Sequence, residues 1–203
     1  MKRFFERMRP VTTLFAFITV ITLVLTAQSG CSKREKTPEE KTKEETVNLL
    51  KAQGHFNKGN DLLGAKKYDE AIKEYEESIK LHPTSPETHS NLGYAYLDKF
   101  NAAKDKEDPA VLDKSLQHQR KATELNPNLA VAYYGIALTL ELIGDPYGAL
   151  ESWHQFLKLS PSDTQWSDNA KKHIKAIEEF IKKREKDTKK AHQQQKAPPH
   201  KKQ

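Results

Sequence analysis

Three segments of the chain close on nearly the same word: SIKLHP at 78–83, ATELNP at 122–127 and FLKLSP at 156–161. A repeated unit constrains a fold strongly, because each copy must bury its apolar face against a neighbour. Each word ends a run of apolar residues at helical spacing. The residue before a proline is pushed out of the helical region, so each run stops there. Good helix formers dominate after residue 48 and glycine is sparse. An all-α fold is expected, with little or no sheet.

Aligned back from the three prolines, the segments share small and aromatic residues at matching places. The first, 52–85, has Gly59, Leu62, Tyr68, Ala71, Tyr75, Ser78 and Pro83. The second, 86–129, has Leu92, Gly93, Tyr96, Ser115, Ala122 and Pro127, with Gln119 where the others place an aromatic. The third, 130–163, has Tyr133, Ile136, Ala137, Leu140, Gly144, Ala149, Trp153, Phe156 and Pro161. This pattern resembles the tetratricopeptide repeat (TPR), a helix-turn-helix unit of about 34 residues. The resemblance implies a right-handed solenoid of three helical hairpins. Pro83 and Pro127 are 44 residues apart, against 34 for Pro127 and Pro161. The excess falls at Lys99–Pro109 and is expected to lengthen helices and a charged loop. Gln119 is expected to leave the second hairpin softer. Trp166, Ala170, Ile174, Ile177 and Ile181 then form one apolar face at helical period, as a capping helix over about 164–183 requires.

The N-terminus carries Lys2, Arg3, Arg7 and Arg9, then an uncharged apolar run from Val11 to Ala27, then Gln28-Ser29-Gly30-Cys31. A basic start, an apolar core and small residues describe an export signal over 1–30. Cys31 is the only cysteine, so no intramolecular disulfide can form. Ser-Gly-Cys after such a core resembles a bacterial lipobox, which implies a lipid on Cys31. Gln28 stands where the lipobox has an aliphatic residue. Cleavage near Ala27, giving a soluble periplasmic protein, and an uncleaved anchor are the alternatives. Ser32 follows the cysteine, and the absence of Asp there implies outer-membrane sorting, facing the periplasm. Residues 31–48 are polar and are expected to form a disordered tether.

The net charge of +6 is uneven: +3 lies in 1–30 and +7 in 182–203, leaving −4 for 31–181. A nucleic-acid binder would concentrate positive charge on its folded body, so no nucleic-acid partner is expected. The tail, 184–203, is expected to be disordered and basic.

No catalytic constellation emerges. His55 and His89 occupy equivalent early places in two repeats and suit packing. His118, His154, His192 and His200 form no His-x-x-x-His pair. Glu74, Glu76 and Glu77 suit a solvated helix face. No enzyme activity, cofactor, metal or small-molecule substrate is expected. The TPR resemblance implies binding of a peptide or helix of a protein partner in the concave groove of the first helices. The lining it implies is Gln53, Phe56, Asn60 and Leu63; Glu87, Ser90, Asn91, Tyr94 and Leu97; and Val131, Tyr134, Leu138 and Glu141. Phe56, Tyr94 and Tyr134 are expected to receive apolar side chains of the partner. A membrane-tethered scaffold or adaptor in envelope assembly follows. A cell-wall or anionic-polymer binder using the basic tail is the alternative.

Overall fold

The computed structural model describes residues 36–103, 108–161 and 165–196. The export signal, Cys31 and His200 lie outside the described residues. The chain divides into two units, 1–42 and 43–203. Seven helices occur among the described residues: α1 (Pro38–Gly64), α2 (Tyr68–Leu81), α3 (Pro86–Ala102), α4 (Ala110–Leu125), α5 (Ala130–Ile143), α6 (Pro146–Leu159) and α7 (Gln165–Lys196).

In the first unit, the described residues are the capped start of α1. The Thr37 hydroxyl accepts from the Glu40 amide at 3.2 Å, and the Glu40 carboxylate accepts from the Thr37 amide at 2.8 Å. This reciprocal box, with Pro38 in the first turn, starts a helix inside the segment expected to be a disordered tether. The tail differs in the same sense: α7 runs on through Lys196.

In the second unit, consecutive helices pair into hairpins. Prolines and short acceptors set the helix starts. Ser85 accepts from the Thr88 amide before Pro86, and Asp145 accepts from the Gly148 amide before Pro146. Asp108 accepts from the Ala110 amide at the start of α4. Gly144 closes α5 at φ +88°, a left-handed turn that suits glycine. One apolar core, with Ala71, Ile72, Tyr75, Leu92, Ala95 and Tyr96, fills the early hairpins. The other joins Tyr134, Ile136, Leu140, Trp153 and Phe156 to Ala170, Ile174 and Ile177 of α7. That second core is the capping arrangement: α7 covers a face that the last hairpin would otherwise leave in water.

The hairpins close through small residues. A Cβ on Gly59 would lie 2.6 Å from the Tyr75 ring, so α1 and α2 can approach only because that position is glycine. In the second hairpin Gln119 takes the aromatic's place and is fully buried. Its side chain fits between Gly93 of α3 and Gly135 of α5, and a Cβ on either glycine would collide with it. The Ser90 hydroxyl donates to Gln119 Oε1 at 3.1 Å, and Gln119 Nε2 donates to the Ser90 carbonyl at 3.2 Å. Beside it the Ser115 hydroxyl donates to the Gly93 carbonyl at 2.8 Å and sits 3.1 Å from Thr139 Oγ1. No buried side-chain polar atom among the described residues lacks a partner. Gln119 is therefore a paired wedge and not the soft spot expected from the sequence, because both of its polar atoms are satisfied.

Removing that wedge leaves a cavity and an unpaired Ser90 hydroxyl. Gln119→Ala should lower unfolding free energy by about 2–3 kcal/mol. Urea unfolding measures this; a loss below about 0.5 kcal/mol, the range of ordinary surface changes, would contradict the wedge.

Candidate functional site: the face of the first helices

The first helices of the hairpins, α1, α3 and α5, lie side by side, and α7 continues the row. Polar contacts tie each neighbouring pair. Asn91 of α3 donates to Asn60 Oδ1 of α1 at 2.8 Å, and the same oxygen accepts from the Tyr75 hydroxyl at 2.7 Å. The Tyr94 hydroxyl of α3 donates to the Val131 carbonyl of α5 at 2.7 Å. Asn169 of α7 donates to the Tyr134 hydroxyl of α5 at 2.6 Å. These rungs engage Asn60 Oδ1, Asn91 Nδ2 and the hydroxyls of Tyr94 and Tyr134.

This placement changes the roles expected of several lining residues. Tyr134 is 5% exposed, enclosed edge-on by Trp153, Phe156 and Trp166 at 4.7–5.1 Å. It is a core residue and not a docking side chain. Ser90 and Leu97 are buried as well, Ser90 on Gln119. Tyr94 is half-buried, and burial holds its hydroxyl well above the usual phenol range. Glu141 accepts from Trp153 Nε1 at 2.6 Å and meets His173 Nδ1 at 2.9 Å, so it ties α5 to α6 and α7.

What remains accessible is mixed. Gln53 and Glu87 are exposed, with Gln53 donating to Asn57 at 2.9 Å. Phe56 and Leu63 are half-buried against the early core, and Phe56 keeps an edge toward a cleft of about 210 Å³ shared with Leu49, His82 and Glu87. Val131 is exposed and Leu138 half-buried. Four residues outside the expected set join them. Trp166 is 62% exposed although its ring packs on Tyr134. With Asn169 and Lys172 it lines a cleft of about 540 Å³. Asp98 is half-buried one turn beyond Tyr94, and burial raises its carboxyl above the usual range. The Trp166 signal was present in the sequence: it leads the apolar stripe of α7, where a helix end is the least covered position.

The histidine and glutamate candidates resolve into ion pairs, stacked rings and exposed side chains. His55 and Lys58 meet Glu74 at 2.7 and 2.6 Å, and the Lys58 and His55 hydrogen bonds lower the Glu74 pKa. Glu74 thus links α1 to α2, whereas Glu77 pairs with Lys80 on the surface. Tyr96 donates to Glu76 at 3.2 Å. His154 and His192 are exposed. Among the described residues no three of His, Cys, Asp and Glu converge on a metal-sized site. His89 and His118 stack at 5.5 Å with their Nδ1 atoms 3.3 Å apart, and His118 also stacks on Tyr96 at 5.9 Å. His89 Nε2 donates to the Pro83 carbonyl at 3.1 Å, which leaves Nδ1 as acceptor in the neutral ring.

The TPR repeat family matches residues 59–99. The fold is that of a tetratricopeptide-repeat solenoid. The TPR domain of Arabidopsis OM64 is 21% identical, with 64% of this chain and 96% of that one aligned at a TM-score of 0.56. The first TPR of Spaghetti (RPAP3), bound to the HSP90 peptide SRMEEVD, is 22% identical, with 64% and 97% aligned at 0.55. The TPR2B domain of yeast Sti1, in a complex with pHsp70, is 18% identical, with 64% and 98% aligned at 0.56. No curated protein matches the sequence significantly.

The histidine pair gives the TPR domain a pH dependence. Burial, His89 and Lys114 lower His118 to about 4; burial and Lys121 lower His89. Unfolded histidines titrate near about 6.5, so the unfolded chain binds more protons below that pH. The contribution is fully present above about pH 6.5 and is lost as pH falls toward 4. Urea midpoints across this window should fall for the natural chain and fall less for His118→Phe. Parallel curves would contradict the coupling.

Proposed function

We propose that the TPR domain is a binding module that holds a protein segment along the first-helix face, carried on a membrane-tethered scaffold or adaptor of the bacterial envelope. The observation behind this reading is Trp166. A tryptophan left open at one end of a row that also presents Val131, Leu138 and Phe56 is the residue type that anchors protein contacts. The first TPR of Spaghetti, of the same fold, is bound to an HSP90 peptide, and the TPR2B domain of Sti1 is in a complex with pHsp70. An acidic C-terminal tail such as SRMEEVD is not the expected ligand here. TPR domains that clamp such a tail use two asparagines and three cations. The resemblance puts Phe56, Val131 and Gly135 at the cation places, and Asn60 and Asn91, at the asparagine places, already serve Tyr75 and each other. A carboxylate buried without a cation is strongly unfavourable. An apolar segment with few charges fits better. Activity by binding alone suits the fold.

Tethering rests on the sequence: the apolar run before Cys31 and the lipobox resemblance support a lipid there, with outer-membrane placement as part of the proposal. Among the described residues no helix is long and apolar enough to cross a membrane. The basic α7 extension favours a second reading, contact with an anionic cell-wall polymer. That contact would fall steeply with salt, whereas apolar docking persists.

Photo-crosslinking in the native envelope tests both parts. A crosslinking amino acid at Val131 or Leu138 should give one discrete protein adduct at high salt, and the same group at exposed Glu151 of α6 should not. Cys31→Ser should move protein and adduct out of the membrane fraction. Equal adducts from all three positions would refute the face; an unchanged membrane fraction would refute the tether.

A further inference from the structure

Further along α7, beyond Trp166 and Asn169, a second surface opens. Pro146 and Tyr147 in the first turn of α6 form one lip of a cleft of about 690 Å³; Phe180, Ile181, Arg184 and Lys189 of α7 form the other. Tyr147 is 63% exposed and Phe180 50%. A smaller cleft of about 260 Å³ continues the apolar floor through Gly144, Ala176 and Ile177, sharing Pro146 and Phe180. Leu142 and Ile143, at the adjoining end of α5, are also more than 40% exposed.

Two features define what fits. The first is charge. The Arg184 guanidinium sits 5.6 Å from the Phe180 ring centroid, and Lys189 and His192 follow along the cleft, with Glu185 its one carboxylate. Residues 182–196 carry seven Lys/Arg against Glu185 and Asp187. The second is shape. The lining runs from Phe180 to His192, about three helical turns or 18 Å along one side of α7. In each hairpin a second helix packs beside the first. α7 occupies a first-helix place, since Trp166 and Asn169 continue that row, and among the described residues no second helix follows it.

We propose that this cleft docks an acidic amphipathic helix of a partner protein, lying along α7 where a second helix would complete a fourth hairpin. An apolar side chain of the partner enters between Tyr147 and Phe180, and its carboxylates meet Arg184 and Lys189. This helix-in-groove contact combines apolar anchoring with charge complementarity. It is separate from the first-helix face, so either site can fail without the other.

The test is fluorescence anisotropy of a labelled peptide with the full chain. The peptide is a helix of Glu and Ala with Leu at every third and fourth place. Saturable binding is expected, about tenfold weaker for Phe180→Ser and for Arg184→Glu/Lys189→Glu. Lys186→Glu/Lys190→Glu makes the same charge change on the far side of α7 and should alter affinity by less than about twofold. All these positions are exposed, and circular dichroism checks that helix content is kept. The proposal is overturned by absence of binding, by equal binding of a Leu-free Glu/Ala peptide, or by equal losses from the two charge reversals. It is also overturned if vesicles of phosphatidylglycerol bind in place of the peptide, or if sedimentation shows the cleft filled by a second copy.

Discussion

The structure depends on helices coming closer than ordinary side chains allow. At the centre of the second unit, Gln119 of α4 touches glycines on two first helices, Gly93 of its own hairpin and Gly135 of the next. Close approach brings dispersion contacts but also buries polar atoms, and an unpaired one there would cost more than the contacts return. The reciprocal hydrogen bonds with Ser90, and the Ser115 bond to the Gly93 carbonyl, remove that cost. One buried, satisfied amide thereby fixes the spacing between two hairpins. The spacing of the first helices, and so the geometry of the face they present, follows from it.

That face is accordingly more occupied than its residue types suggest. Asn60, Asn91, Tyr94 and Tyr134 each commit a polar atom to rungs between neighbouring helices. The rungs make the row one platform and leave its apolar edges, Phe56, Val131, Leu138 and Trp166, for contact. At the other end the same logic explains α7. Its inner side is covered by the last core, while Phe180 and Tyr147 stay open beside a cationic stretch.

The all-α solenoid was legible because its signals are local and repeated: prolines closing each unit, glycines at equivalent places, and an apolar stripe on α7. The helix start at Thr37 was equally legible, since Thr-Pro-Glu-Glu is a capping box, but low apolar content pointed the other way. Capping and helix propensity decide that segment without any burial. The α7 extension lacked even this local signal beyond its good helix formers. Roles at the site were harder to read. Tyr134 has the composition of a groove lining, yet its burial depends on where α6 and α7 lie, which no local pattern encodes. Gln119 looked like a defect because the two glycines and the serine that receive it are distant in sequence.

The claim that one wedge couples two hairpins is tested most directly by hydrogen exchange on Gly135→Ala. The added methyl group displaces Gln119, which Gly93 blocks from the other side. Amide protection should fall together in α3–α4 and α5–α6. Protection lost only in α5–α6, or in neither hairpin, would contradict the account.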